Sequence, residues 1–206
     1  MEHVAVIITG AFSVISAIVI AYFAYNQHTK NKMTDLKIEQ VKKDSEENTA
    51  KNNRHTAIIY GELWKLLHQL DVDRCFILQP HPKNRHSYVS VVFEVDRAGV
   101  SLVKDILQNI PMSEIAQFSN ELVGNCWLYY QNIDDDVLDP RIRSLMRLGG
   151  ASNVAIKQLI NSSNDWIGSL MVENTTNKKF KGDEKTIKEA IKVTANTIQY
   201  ILPSIN

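Results

Sequence analysis

Cysteine is scarce: Cys75 and Cys126 are the only two in 206 residues. That excludes a disulfide-built scaffold, and no Cys/His spacing suits a zinc ion. Neither sign of charge is in excess, since 23 basic and 23 acidic residues give a formal net charge of zero. The basic footprint of a nucleic-acid-binding protein is therefore missing. So are a Ser/His/Asp constellation, a phosphate-cradling glycine loop and a helical His-Glu metal motif. The expectation is a non-catalytic chain that needs no cofactor. Charge itself is absent from residues 4–24, and proline and glycine are absent from residues 26–53.

These last two absences divide the chain. Residues 4–24, VAVIITGAFSVISAIVIAYFA, have about the 20-residue length needed to cross a ~30 Å hydrocarbon core as a helix. β-Branched residues form helix poorly in water, but in lipid the backbone has no other partners. Tyr22, Phe23 and Tyr25 supply an interfacial aromatic belt at one end. A cleaved signal peptide would have a basic leader and a small-x-small cleavage site. Here Glu2 and His3 precede the run, and it ends in Ala21-Tyr22-Phe23-Ala24. Residues 1–25 are thus expected to be a single transmembrane anchor with the lipid bilayer as partner. No Lys or Arg precedes the span, whereas Lys30, Lys32, Lys37, Lys42 and Lys43 follow it. The positive-inside rule then places the remainder in the cytoplasm. Ser13, Ala17 and Ala21 form a small-residue stripe through which a homo-oligomer could assemble.

Residues 26–53 are polar and read as a helical stalk. Met33 and Leu36 offer two coiled-coil seam positions, short of the three or four heptads that specify a coiled coil. From residue 54 to 206 the pattern is that of one α+β domain, a mainly antiparallel sheet covered by helices. Ile59, Leu63, Leu66, Leu67 and Leu70 predict a helix over 56–70. Strands are predicted over 75–79, ended by Pro80 and Pro82, and over 89–95, 127–133, 153–160 and 166–173. Short helices are predicted over 102–109 and 113–123. A last helix runs from about Asp183 to Pro203, with Ile187, Ile191, Ala195, Ile198 and Leu202 on its apolar face.

Several side chains admit a sharper and a plainer reading. Cys75 and Cys126 are a redox pair or two core thiols among apolar neighbours. His81 and His86, with Lys83 and Arg85, contact an anion or metal or form an ordinary loop. Asp134, Asp135, Asp136 and Asp139 hold a cation or form an exposed acidic loop. Trp127, Tyr129 and Tyr130 line a pocket or divide between core and surface.

The order and wording of the domain resemble the GAF family over about residues 56–202. The resemblance rests on Ile133-Asp134, Asp139-Pro140-Arg141, Leu148-Gly149-Gly150 and Ser152. It continues with Ile167-Gly168-Ser169-Leu170, Asn174, Phe180 and Asp183-Glu184. Asn177-Lys178, Phe180 and Asp183-Glu184 are also similar to a motif of cyclic-nucleotide-binding GAF domains. The Phe-to-Asp gap is one residue shorter here, and nucleotide binding is not inferred from it. The resemblance implies a ligand cavity between one sheet face and its helices, capped by residues 133–152. Arg147, Ser152 and Asn153 become candidate ligand contacts, with Lys157 a fourth if it faces inward. Turn chemistry and strand surface are the plainer reading of all four. The implied function is a membrane-anchored sensory or regulatory module that binds a small ligand or a protein partner. The whole-chain layout also resembles the holin of T-even phages, a lysis protein. That alternative puts the domain in the periplasm and carries N-terminal basic residues that this chain lacks.

Overall fold

The computed structural model describes residues 2–82, 87–175 and 178–203, and their side chains except for 2–26, 28–31 and 33–36. The chain divides into two units, Met1–Lys51 and Asn52–Asn206. Helix α1, Glu2–Leu70, supplies the backbone of the first and opens the second. In the first unit every side chain from 37 to 51 is exposed, Ile38 and Val41 included. This is a solvated helix, as the polar stalk composition implies. Among the described residues no helix is long and apolar enough to cross a membrane. The side chains of residues 4–24, where the sequence places the span, lie outside the described set. So do Met33 and Leu36, and so do Lys83, Arg85 and His86 altogether.

The second unit is built on β1 (Arg74–His81), β2 (Tyr88–Asp96), β3 (Ile110–Pro111), β4 (Trp127–Tyr130), β5 (Ala151–Ile160) and β6 (Trp166–Thr175). They form one sheet in the order β3-β2-β1-β6-β5-β4, with every pairing antiparallel. Side chains alternate between its faces, except that a bulge in β2 between Val91 and Phe93 sends the later residues of that strand to the other face. Cys75, Ile77, Phe93, Val95, Leu170 and Val172 pack against Ile59, Leu63, Leu66 and Leu67 of α1 and against Ile187, Ile191, Ala195 and Ile198 of α5 (Glu184–Ile198). Phe76, Leu78, Val89, Val91, Ile156 and Met171 face the other way. They are covered by the 101–109 crossover and by α2 (Ala116–Gly124), α3 (Ile133–Asp136) and α4 (Pro140–Leu148). The α+β antiparallel architecture is thus the one the pattern predicts.

Local departures have local causes. Residues 102–109 make turns rather than a helix. Glu94 takes the amides of Val103 and Lys104 at 2.7 and 2.8 Å, and Leu107 gives its carbonyl to the Val91 amide. Strand β1 continues through Pro80, because beyond Leu78 it is paired with β2 alone, the one-sided setting in which proline is tolerated. The third predicted strand stops at Tyr130, where the Asn132 side chain accepts the Asp134 amide and caps α3. Helix α5 ends at Ile198, five residues before Pro203, and Leu202 packs on the core from beyond it. Cys75 is buried but Cys126 is exposed, so the expected apolar setting of Cys126 is corrected. Burial pushes the Cys75 thiol far up, with the Glu173 charge adding to it. That leaves Cys75 an inert core thiol.

Candidate functional site

Two charged networks anchor one end of the central strands β1 and β6, next to the candidate site. The first lies in the loops flanking β1 and β6. Asp73 accepts the Thr175 amide at 2.8 Å, the Thr175 hydroxyl at 3.1 Å and the Lys178 ammonium at 3.1 Å. Burial pushes the Asp73 carboxyl up, but these donors outweigh it and hold the group below the ordinary carboxylate range. Asp71 is bonded to Lys181 and Arg97, which hold its carboxyl down at about 2. The second network is buried. The Arg74 guanidinium, with no solvent exposure, donates to Glu173 and to the carbonyls of Ser101 and Gly149.

Lys178, fixed by Asp71 and Asp73, begins the loop that crosses to α5. Its carbonyl accepts both Ser152 Oγ at 3.3 Å and Asn153 Nδ2. The Asn174 amide donates to Asn153 Oδ1 at 2.9 Å, while its own Oδ1 is buried without a partner among the described residues. Around this junction lie two clefts. The first, about 260 Å³, is lined by Tyr129, Gln131, Asn153, Lys179, Phe180, Gly182 and the α5 N-terminal pair Asp183 and Glu184. The second, about 230 Å³, is bounded by Asn132, Asp134, Arg147, Gly150 and Ser152.

The four residues predicted to contact a ligand are therefore divided. Arg147, in the last turn of α4, is bonded to Asp134 across the second cleft, and Ser152 lines the same cleft. Asn153 lines the first cleft, yet its Nδ2 also reaches Ser152 Oγ at 3.2 Å, at a shift of register between β5 and β6, so the two residues bridge the clefts. Lys157 belongs to neither. It is half-buried beside α5 and donates to the Gln158 carbonyl at 3.1 Å. Burial lowers its ammonium against the upward pull of Cys126, and the charges of Lys188 and Lys192 add to the lowering. The 133–152 segment covers its sheet face, with Ile133, Val137, Ile142 and Met146 buried in the core there.

The first cleft contains Tyr129, one of the three aromatics offered as pocket residues, and Phe180, Asp183 and Glu184, which carried the resemblance. Trp127 and Tyr129 leave β4 on one face, with ring centroids 6.3 Å apart and planes 11° from parallel. Phe180 approaches Tyr129 at 5.7 Å. Glu184 accepts the Trp127 indole N–H at 2.8 Å, and Asp183 caps α5 through the Thr186 amide. Tyr130 turns to the opposite face, where its hydroxyl donates to Glu121. Burial raises the Tyr129 phenol, with the Glu184 charge acting in the same direction.

The acidic run is engaged locally. Asp135 accepts the Asn132 amide, Asp136 the backbone of Gln131 and Asn132, and Asp139 caps α4. Among the described residues no group of three His, Cys, Asp or Glu is placed to hold a metal ion. A third cleft, about 370 Å³, lies along the β2 edge, where Ser90 Oγ is 2.8 Å from His81 Nε2 and accepts the Asn109 amide at 2.8 Å. Ser90 carried no signal in the sequence.

With the fold and clefts described, comparison with solved structures decides the architecture. This is a GAF-like fold. The GAF domain of PixJ from Thermosynechococcus elongatus, in its blue-light-absorbing form, matches with a TM-score of 0.59 at 12% identity, over 74% of this chain and 89% of that one. A far-red cyanobacteriochrome photoreceptor matches with a TM-score of 0.56 at 13% identity, over 82% and 99%. The phycoerythrobilin-bound GAF domain of a cyanobacterial phytochrome matches at 0.53 and 15% identity, over 75% and 93%. Identities this low establish shared architecture and nothing finer. No protein-family model and no curated protein matches the sequence.

Proposed function

We propose that this chain is a non-catalytic sensory or regulatory module of GAF-like fold, anchored in a bilayer through residues 4–24, with its domain in the cytoplasm. It binds a small ligand or a protein partner. The observation that carries the reading is the cleft between β4 and α5, where two aromatic rings, the Asn153 amide and two carboxylates converge on about 260 Å³. That volume lies just below the usual range for drug-sized ligands, so the occupant is small. The solved GAF domains named above include one bound to phycoerythrobilin, which supports use of this scaffold for small-molecule binding. The anchor is supported by the uncharged 21-residue stretch and the lysines that follow it.

Two experiments test the parts. The full-length chain, extracted from membranes and denatured, should release a defined small molecule detectable by mass spectrometry, or it should retain a stoichiometric protein partner. Purification with neither from the native host would count against the binding reading. Protease added to intact spheroplasts should leave the domain protected. Digestion from outside would remove the cytoplasmic placement and favour the holin-like alternative, a lysis protein with a periplasmic domain.

A further inference from the structure

We infer that the β4–α5 cleft is selective for an organic cation, an ammonium or guanidinium group carried by a free metabolite or by a protein side chain. This rests on the ligand-binding reading above and assigns the chemistry of the ligand.

Two aromatic side chains, Tyr129 and Phe180, line the cleft, and Trp127 continues their row beyond it. An aromatic face attracts positive charge through its quadrupole. The row already holds one cation, since Lys188 Nζ sits 5.6 Å from the Trp127 ring centroid. Tyr129 and Phe180 are the rings of that row that line the cleft. The carboxylates are fixed beside them. The indole N–H ties Glu184 to the Trp127 edge, and the capping bond ties Asp183 to the first turn of α5. Two influences oppose a cation. The N-terminal end of α5 is the positive end of its dipole, but Asp183 and Glu184 stand there and offset it. Lys179 also lines the cleft, as its single ammonium against two carboxylates. Among the side chains that line the cleft the formal charge is minus one, beside two aromatic rings, the combination that recognises quaternary and guanidinium groups. The volume suits a head group of that size.

The test uses the full-length chain in detergent micelles and an amine-free phosphate buffer. Choline is titrated by calorimetry beside 3,3-dimethylbutan-1-ol, its neutral isostere, and beside N-acetylarginine amide. Saturable binding of a cation, with the isostere at least about fivefold weaker, supports the inference. The tighter of the two cations then names the source, a free amine or a protein side chain. Phe180→Leu and Glu184→Gln should each weaken binding about three- to tenfold, and Lys179→Gln should tighten it. Glu184 and Lys179 are exposed, so those two variants keep the fold, and circular dichroism checks Phe180→Leu. Equal binding of the isostere, indifference to all three substitutions, or no saturation below about 20 mM would overturn the inference. A neutral or anionic molecule recovered from the native protein would also overturn it while leaving the ligand-binding reading intact. Recovery of nothing, together with failed titrations, would remove both.

Discussion

Replacing Arg74 by methionine should destabilise the domain more than any surface substitution, and the structure gives the size of the effect. Arg74 Nε lies 3.0 Å from Glu173 Oε2, and Nη2 bonds the same oxygen. Nη1 reaches the Ser101 carbonyl at 2.6 Å and Nη2 the Gly149 carbonyl at 3.1 Å. Glu94 Oε1 stands 4.0 Å from Nε, with its carboxylate held by the amides of Val103 and Lys104. One guanidinium thus joins β2, β1 and β6 and fixes two loops, with both charged partners almost wholly buried. Methionine fills the volume but leaves the Glu173 carboxylate without its donor. Breaking a buried pair from one side costs about 3–5 kcal/mol. For a domain near 150 residues that lowers the melting temperature by roughly 10 °C. The double variant Arg74→Met, Glu173→Met should regain much of this, because an apolar pair of similar volume often replaces a buried ion pair without net loss. Lysine at 74 should not rescue, since it lacks the fork that serves three acceptors. Urea unfolding of residues 52–206, followed by circular dichroism, measures all four proteins. A loss below about 1 kcal/mol for Arg74→Met, the scale of an exposed pair, would refute the reasoning.

Three further outcomes are expected from the same assay. Burial raises the Glu173 carboxyl against the pull of Arg74, so the folded state keeps this proton at pH values where the unfolded chain has lost it. Stability from this group is complete below the unfolded value of 4.5 and is lost as pH rises through the folded value. Glu173→Gln should flatten that decline, and an unchanged slope would contradict it. Asp139→Ala removes the cap that accepts the amides of Arg141 and Ile142 at 3.0 and 3.2 Å and should cost about 1–2 kcal/mol. Gly168→Ala places a Cβ 2.9 Å from the Leu78 carbonyl at a φ of +156°. Backbone there cannot yield cheaply, so about 1–3 kcal/mol should be lost, read as a lower urea midpoint.

Much of the sheet was legible because its strands carry the period-two signal on both faces. Val89, Val91, Phe93 and Val95 declare β2, and Ile187, Ile191, Ala195 and Ile198 declare the buried stripe of α5. Helix α4 was not legible. It is nine residues long and buries Ile142 and Met146 among Arg141, Arg143 and Arg147, so its apolar stripe is two residues wide. Asp139-Pro140 was the readable signal, a cap followed by proline at the first helical position. Over 102–109 the sequence spacing was helical, but the deciding bonds go to Glu94 and Val91 on another strand, and no local rule contains them. The site follows the same division. Tyr129, Phe180, Asp183 and Glu184 each stood out in the sequence, yet their meeting depends on β4 pairing with β5 and on the loop after β6 returning to β4. Ser152 and Asn153 read as one pair of contacts; they stay hydrogen-bonded to each other but line different clefts, at a shift of register that no local pattern announces. The buried ion network had no sequence signature at all. Arg74 and Glu173 are 99 residues apart, and a buried arginine is spelled like an exposed one. What distinguishes it is that Arg74 and Glu173 are direct partners across β1 and β6, with Cys75–Leu78 and Leu170–Val172 forming the core beside them. Once those strands pair, the two charges are buried together and must satisfy one another. The choice of pairing therefore fixes the charges, and the charges in turn fix the loops at Ser101 and Gly149 that neither strand's own pattern could place.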